Sequence, residues 1–211
     1  MATFDIPILP DPTENEALAL FRAVEYKFPS KTLGSGKWYI PLFAAMVGGD
    51  QNEFAPLLYK HLIARPEYQA SVERKALMRR IRETLLKLDK DYSFSREGWQ
   101  CDEANRQRGF AWQDRLCKHN QGKIDQEFNS QKDFDWISKN ISYGLYLSDH
   151  TILSEVETEL TVLVGIMSQN LPRETGWHLR GTRRIGVSKE DVESIQQCVS
   201  LPTVIDYGEQ C

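Results

Sequence analysis

The chain has few cysteines, no long apolar run, no basic excess and no stretch of alternating polarity, and each shortage removes a class of protein. Four cysteines in 211 residues, Cys101, Cys117, Cys198 and Cys211, are too few for a disulfide scaffold. They also lack the close pairing of a zinc knuckle, so ordinary reduced thiols are expected. Nowhere does the sequence approach the ~20 apolar residues that span a bilayer. The leading MATFDIPILPDP has neither a basic start nor a continuous apolar core, so a soluble, cytoplasmic protein without membrane association is expected. A net charge of −4 and a pI near 5.7 give no general attraction to nucleic acid. No P-loop, dinucleotide fingerprint, zinc pattern or nucleophile elbow is present. The expected site therefore uses side chains alone, with no metal and no cofactor, which favours proton-transfer chemistry. With no alternating run long enough for a sheet, the expected fold is all-α.

What is present is helical punctuation. Thr13 and Glu16 form a capping box ahead of Leu18, Leu20, Phe21, Val24 and Phe28. Lys31 to Lys37 reads as a loop, followed by the apolar WYIPLFAAMV with Pro41 in its first turn or at a kink. Phe54 to Ala64 predicts a helix stopped before Pro66, and Ser71 opens a long basic helix with Leu77, Ile81, Leu85 and Leu88 on one stripe. Arg80 and Glu83 lie along one flank of that stripe, three apart, which by itself describes an exposed ion pair. The polar stretch Asp89 to Gln131 reads as one or two surface-covering helices, ending in an exposed connection from Gln121. Phe134, Trp136, Ile137, Ile141, Tyr143, Leu145 and Tyr146 read as core. Ser154 and Glu157 cap an apolar helix, Leu160 to Met167, expected to be central.

The most organised stretch is Leu171 to Val199, LPRETGWHLRGTRRIGVSKEDVESIQQCV. Pro172 suits a first helical turn and Gly186 a helix end, so a helix over Arg173 to Arg184 is expected. Ser188, with Asp191 three residues on, should cap a second helix that ends before Pro202. On the first helix His178, Gly181, Thr182 and Ile185 share a face, with Trp177 beside it. A histidine against an aromatic wall, with a glycine nearby that admits close approach, suits proton transfer near neutral pH. The same pattern also describes an ordinary packed histidine.

The words W-H-L-R-G and G-V-S-K-E-D-V, with LMRRIRETLLK (Leu77 to Lys87) and ISYGLYLSDHTILSEVET (Ile141 to Thr158), resemble the carboxymuconolactone decarboxylase-like family, relatives of the alkylhydroperoxidase AhpD. The resemblance covers about half the chain. It implies an AhpD-like helical bundle, assembly as a homodimer or larger homo-oligomer, and His178 facing an acidic residue of the Leu77 to Lys87 helix, for which Glu83 is the candidate. Redox members of that superfamily use a C-x-x-C dithiol ahead of the histidine, which this chain lacks, so peroxidase activity is not expected. His61-Leu62 stands ten residues before Ser71, as His178-Leu179 does before Ser188. This spacing suggests two degenerate halves, about 14–90 and 132–200, within one domain over 1–211 with a tail at 202–211.

The implied activity is that of a cofactor-free lyase or isomerase. It would decarboxylate, isomerise or cyclise a small oxygenated metabolite through an enolate, within secondary metabolism as the fungal members suggest. His178 and Glu83 are the candidate catalytic pair, and Trp177, Arg80, Arg180, Arg183 and Tyr143 the candidate substrate contacts. Arg180 is two residues from His178 and so on another face, which leaves the choice of cation open. The alternative is a helical binding or assembly protein that keeps the fold without catalysis.

Overall fold

A computed structural model describes residues 13–49, 51–88, 100–128 and 130–206. Those residues build helices and no strand, so the protein is all-α. Among them no helix is long and apolar enough to cross a membrane.

Helix α1 (Glu14–Lys27) starts at the expected capping box, where the Glu16 N–H donates to Thr13 Oγ1 and the Thr13 N–H donates to Glu16 Oε2. The expected loop from Lys31 to Lys37 is instead a short helix, α2 (Ser30–Leu33), and a 3₁₀ turn, joined at Gly34 with φ +96°. Helix α3 (Tyr39–Gly48) is buried at every residue from Tyr39 to Met46. A helix apolar all round has no solvent face to offer, and α3 lies at the centre accordingly. Helix α4 (Ala55–Ile63) stops where the proline ring demands, with Arg65 extended at φ −81°, ψ 150° ahead of Pro66. Helix α5 (Ser71–Leu88) buries Leu77 and Ile81.

Next come α6 (Glu103–Cys117), α7 (Gln121–Glu127) and α8 (Lys132–Trp136). The chain then continues into a π-helical segment, Ile137–Leu147. Helix α9 (Glu155–Ser168) opens at the expected Ser154/Glu157 capping box and packs against α3, the pair forming the middle of the molecule. Leu160, Leu163 and Val164 are wholly buried there. Burial at this depth stabilises by about 1.5–3 kcal/mol per side chain, and Leu163→Ala would cost ~2–5 kcal/mol. Helix α10 (Pro172–Arg184) packs on α9, α6 and α11 (Lys189–Asp206). Its end is the Gly186 turn, φ +104°, and Ser188 accepts the Asp191 N–H at 3.0 Å.

Four further expectations are corrected. Helix α6 is no surface cover: Asn105, Gly109, Trp112, Gln113 and Leu116 are buried where it crosses the π segment. The crossing is close because two glycines meet, and a Cβ on Gly109 would stand 2.7 Å from the Gly144 nitrogen. Asn105 Nδ2 donates to the Asn140 carbonyl at 2.9 Å and Arg108 Nη2 to the Gly144 carbonyl at 2.8 Å, fastening the two segments together. Phe134 and Trp136, read as core, are 61% and 52% exposed on the short helix α8, which packs mainly on the π segment that follows it. Finally, α7 replaces the expected exposed connection, and α11 runs through Pro202 to Asp206; a proline removes one hydrogen bond without unwinding a helix held by Val192, Ile195 and Val199. Asp89 to Trp99 and the last five residues lie outside the described residues.

Candidate active site

His178 is at the middle of α10, and its Nδ1 stands 2.9 Å from Glu159 Oε1 on α9. The two are nineteen residues apart in sequence, on consecutive helices that pack together. Glu159 lies one turn before Leu163 on the same face of α9, which aims its carboxylate into the protein. Gly181 makes room for that carboxylate, since a Cβ there would be 3.3 Å from Glu159 Oε1. Thr182 donates its hydroxyl to the His178 carbonyl at 2.8 Å.

Burial pushes the Glu159 carboxyl above the usual carboxylate range, while His178 beside it and the Thr182 hydroxyl act in the opposite sense. A buried carboxyl of this kind does not rest as an isolated anion, and the His178 imidazole is the partner it bonds to. With Nδ1 committed to Glu159, Nε2 is the ring nitrogen with no partner among the described residues. Glu159 fixes which nitrogen carries the proton and how the ring is turned.

The His178 ring forms part of the wall of a cavity of about 210 Å³. Trp177, Tyr143 and Phe128 give it aromatic sides, Gln113, Leu116 and Cys117 of α6 its floor, and Glu174, one turn before His178, an acidic edge. The π segment contributes Tyr143 and Ser138, in keeping with the frequency of π-helical turns at functional sites. Burial pushes the Tyr143 hydroxyl well above its ordinary pKa, and the charges of Cys117 and Glu159 add to the effect, so Tyr143 stays a neutral donor. Burial likewise raises the Cys117 thiol to about 11, with Glu159 reinforcing and Arg184 opposing, so it rests as a thiol. Arg184 also lines the cavity and donates Nη1 to the Leu116 carbonyl.

Of the residues singled out from the sequence, His178, Trp177 and Tyr143 meet at this cavity. Arg180 and Arg183 do not; they line an open depression with Arg184, Val187, Ser188 and Lys189 on the outer side of α10. Arg80 is held elsewhere, donating Nε to the Tyr39 hydroxyl at 2.8 Å and Nη2 to Glu157. Glu83 is buried on α5 at 2% exposure, neither the surface partner of Arg80 nor the carboxylate bonded to His178. The physical reason is packing: α10 rests on α9 and α6, so an acid reaching His178 comes from α9. Sequence reasoning missed Glu159, Gln113 and Glu174. Glu159 had a signal, a carboxylate one turn before Leu163 and so on the apolar face of α9, where an acid must find a partner.

Among the described residues no three His, Cys, Asp or Glu side chains are grouped closely enough to hold a metal ion. No family model, curated protein or solved structure matches the chain.

Proposed function

We propose that the protein is a cofactor-free lyase or isomerase of the carboxymuconolactone decarboxylase-like kind, acting on a small oxygenated metabolite through an enolate. The observation that carries the reading is the His178–Glu159 pair, whose imidazole lines a partly open cavity with aromatic residues in its wall while its far nitrogen is left for a ligand.

The chemistry needs one group to move a proton at carbon and another to hold the developing oxyanion. In an isomerisation, His178 Nε2 takes a proton from carbon beside a carbonyl. The C–H electron pair moves into the enolate, and the imidazolium returns the proton at another carbon. In a decarboxylation, the C–C electron pair becomes the enolate as carbon dioxide leaves, and protonated His178 supplies the proton that replaces it. Tyr143, kept neutral by its surroundings, donates a hydrogen bond to the enolate oxygen. Cys117, kept as a thiol, takes no part as a nucleophile.

The test is a panel of carboxylated lactones, phenolic acids and neutral enolisable ketones, followed by carbon dioxide release and by deuterium uptake from heavy water. His178→Ala should lower turnover by roughly 10²–10⁴-fold with the helical spectrum unchanged. Cys117→Ser should stay within a few fold. Turnover indifferent to His178→Ala overturns the assignment. Absence of turnover across the panel would leave the cavity to a helical binding protein.

A further inference from the structure

The chain carries a net charge of −4, and several of its arginines are matched: Arg65 pairs with Glu25, Arg80 with Glu157 and Arg115 with Glu155. The joint between α10 and α11 is different. There a depression of about 390 Å³ is lined by Arg180, Arg183, Arg184, Val187, Ser188 and Lys189, four cations and no acid. Arg180 and Arg183 are exposed and make no ion pair or hydrogen bond among the described residues. Arg184 gives one N–H to the neutral Leu116 carbonyl, which leaves its charge and its other donors. Lys189 has Glu193 at 3.6 Å, but both side chains are more than half exposed, and such a pair holds little.

Helix ends account for only part of this crowding. Arg183 and Arg184 stand in the last turn of α10, where the helix dipole favours cations. Lys189 is the first residue of α11, where the same dipole disfavours one. The Gly186 turn brings these two ends to one depression, so the positive start of an 18-residue helix adds to four positive side chains. The nearest acids of α11, Glu190 and Asp191, are outside the lining, and Asp191 is buried. The Asp191 and Val192 N–H groups go to Ser188, which leaves those of Lys189 and Glu190 without an acceptor among the described residues. Like charges gathered this way repel until an anion comes between them.

We infer that this depression binds a small molecule bearing a phosphate group. It shares only Arg184 with the His178 cavity, and its assignment is independent of the reaction proposed there. A tetrahedral group with two or more charges presents oxygens on several sides, so the forks of Arg180 and Arg183, the Arg184 charge and Lys189 can meet it together. A monocarboxylate, flat and singly charged, meets one fork at a time. An acidic chain with its cations confined to one helix joint offers no broad basic face for nucleic acid.

Inorganic pyrophosphate is the probe, titrated calorimetrically in about 150 mM chloride so that loose attraction is screened. It should bind with Kd below about 1 mM, and acetate about ten-fold more weakly or worse. Arg180→Gln and Arg183→Gln should each weaken pyrophosphate about ten-fold, the loss of one charge-assisted contact, and Lys189→Gln should weaken it less. Arg183→Lys keeps the charge and loses the fork, so it should fall between Arg183→Gln and the wild type. Lys60→Gln removes the same charge from an exposed position of α4 outside the depression and should change nothing. The four depression variants alter exposed side chains, and an unchanged helical spectrum should accompany each. His178→Ala should bind pyrophosphate as the wild type does, so failure of the proposed chemistry leaves this site standing. No binding within that limit, citrate binding as tightly as pyrophosphate, an equal loss in Lys60→Gln, or tighter binding of a short single-stranded oligonucleotide overturns the inference.

Discussion

Gly109→Ala tests whether the crossing that forms the cavity floor is as close as described. An added Cβ would lie 2.7 Å from the Gly144 nitrogen, 2.8 Å from its Cα and 2.8 Å from the Lys139 carbonyl oxygen. Ordinary contact between heavy atoms is ~3.5–4.0 Å, so the overlap is roughly an ångström. All three of these neighbours are backbone atoms, and no rotamer change can relieve the overlap. The π segment must move away from α6, which stretches the Asn105–Asn140 and Arg108–Gly144 hydrogen bonds. Overpacking of this kind costs up to about 3 kcal/mol, and weakening one of those bonds about 1 kcal/mol more. Alanine returns about 1 kcal/mol as the better helix former. The net expectation is a loss of ~3 kcal/mol, which for a chain of 211 residues lowers Tm by about 6–12 °C. The control is Gly176→Ala in α10, where the nearest atom to the new Cβ is Arg180 Nη1 at an ordinary 3.7 Å. The same exchange there should raise stability by ~0.5–1 kcal/mol. Calorimetric melts of the three proteins decide it. A Gly109→Ala protein that melts with or above the wild type refutes the close crossing.

Three other perturbations have defined outcomes. Glu159 has a raised folded pKa, so its favourable contribution is complete below the usual carboxylate range and is lost as pH rises through the folded value; Glu159→Gln should therefore gain Tm relative to wild type between about pH 5 and pH 8, and an unchanged difference across that span would contradict the buried setting. Burial acts to raise the Glu157 carboxyl, but the Arg80 hydrogen bond and the Ser154 N–H and hydroxyl outweigh it and hold it low; Arg80→Ala should cost about 2–3 kcal/mol, less than the ~3–5 of an orphaned buried charge because Lys37 at 3.8 Å and Ser154 remain, and urea unfolding with no loss would count against the pair. Association as a homodimer, which the family resemblance implies, should give twice the 24.4 kDa chain mass by light scattering at micromolar concentration, and a monomer mass there removes that expectation.

Punctuation was the legible part of this sequence. Both capping boxes, the Pro172 start, the Gly186 end and the Ser188 cap depend on a residue and its neighbours three or four positions away, and all are where local chemistry places them. What was not legible depends on which helix lies beside which. Glu83 and Glu159 are both acids on helices with apolar stripes, and only the packing of α10 on α9 distinguishes them. Gln113 looked like one polar residue among many in a charged stretch; the Gly109–Gly144 crossing buries it, and a contact between residues 35 apart leaves no periodic mark. Phe134 and Trp136 were illegible for a related reason, since aromatic content alone does not say which neighbour a short helix such as α8 packs on.

The two histidine-bearing helices show what it takes for such a position to become a site. His61 stands near the end of α4, and the residue nineteen positions before it, where Glu159 precedes His178, is Leu42, buried in α3. Without a carboxylate its ring has only neighbours: Phe21 and Trp38 at ring-centre distances of 5.9 and 6.3 Å, and Arg65 Nη2 at 3.0 Å, itself tied to Glu25. Burial lowers the His61 pKa and the Arg65 charge lowers it further, so it is held neutral and packed. The aromatic rings that would line a cavity instead fill the space. At His178 the corresponding volume is kept open by α6 and the π segment, elements that have no counterpart between α1 and α4. The proposed site at His178 therefore rests on two things around it that His61 lacks: an acid one helix away, and a pair of crossing segments that stop the core from closing over the imidazole.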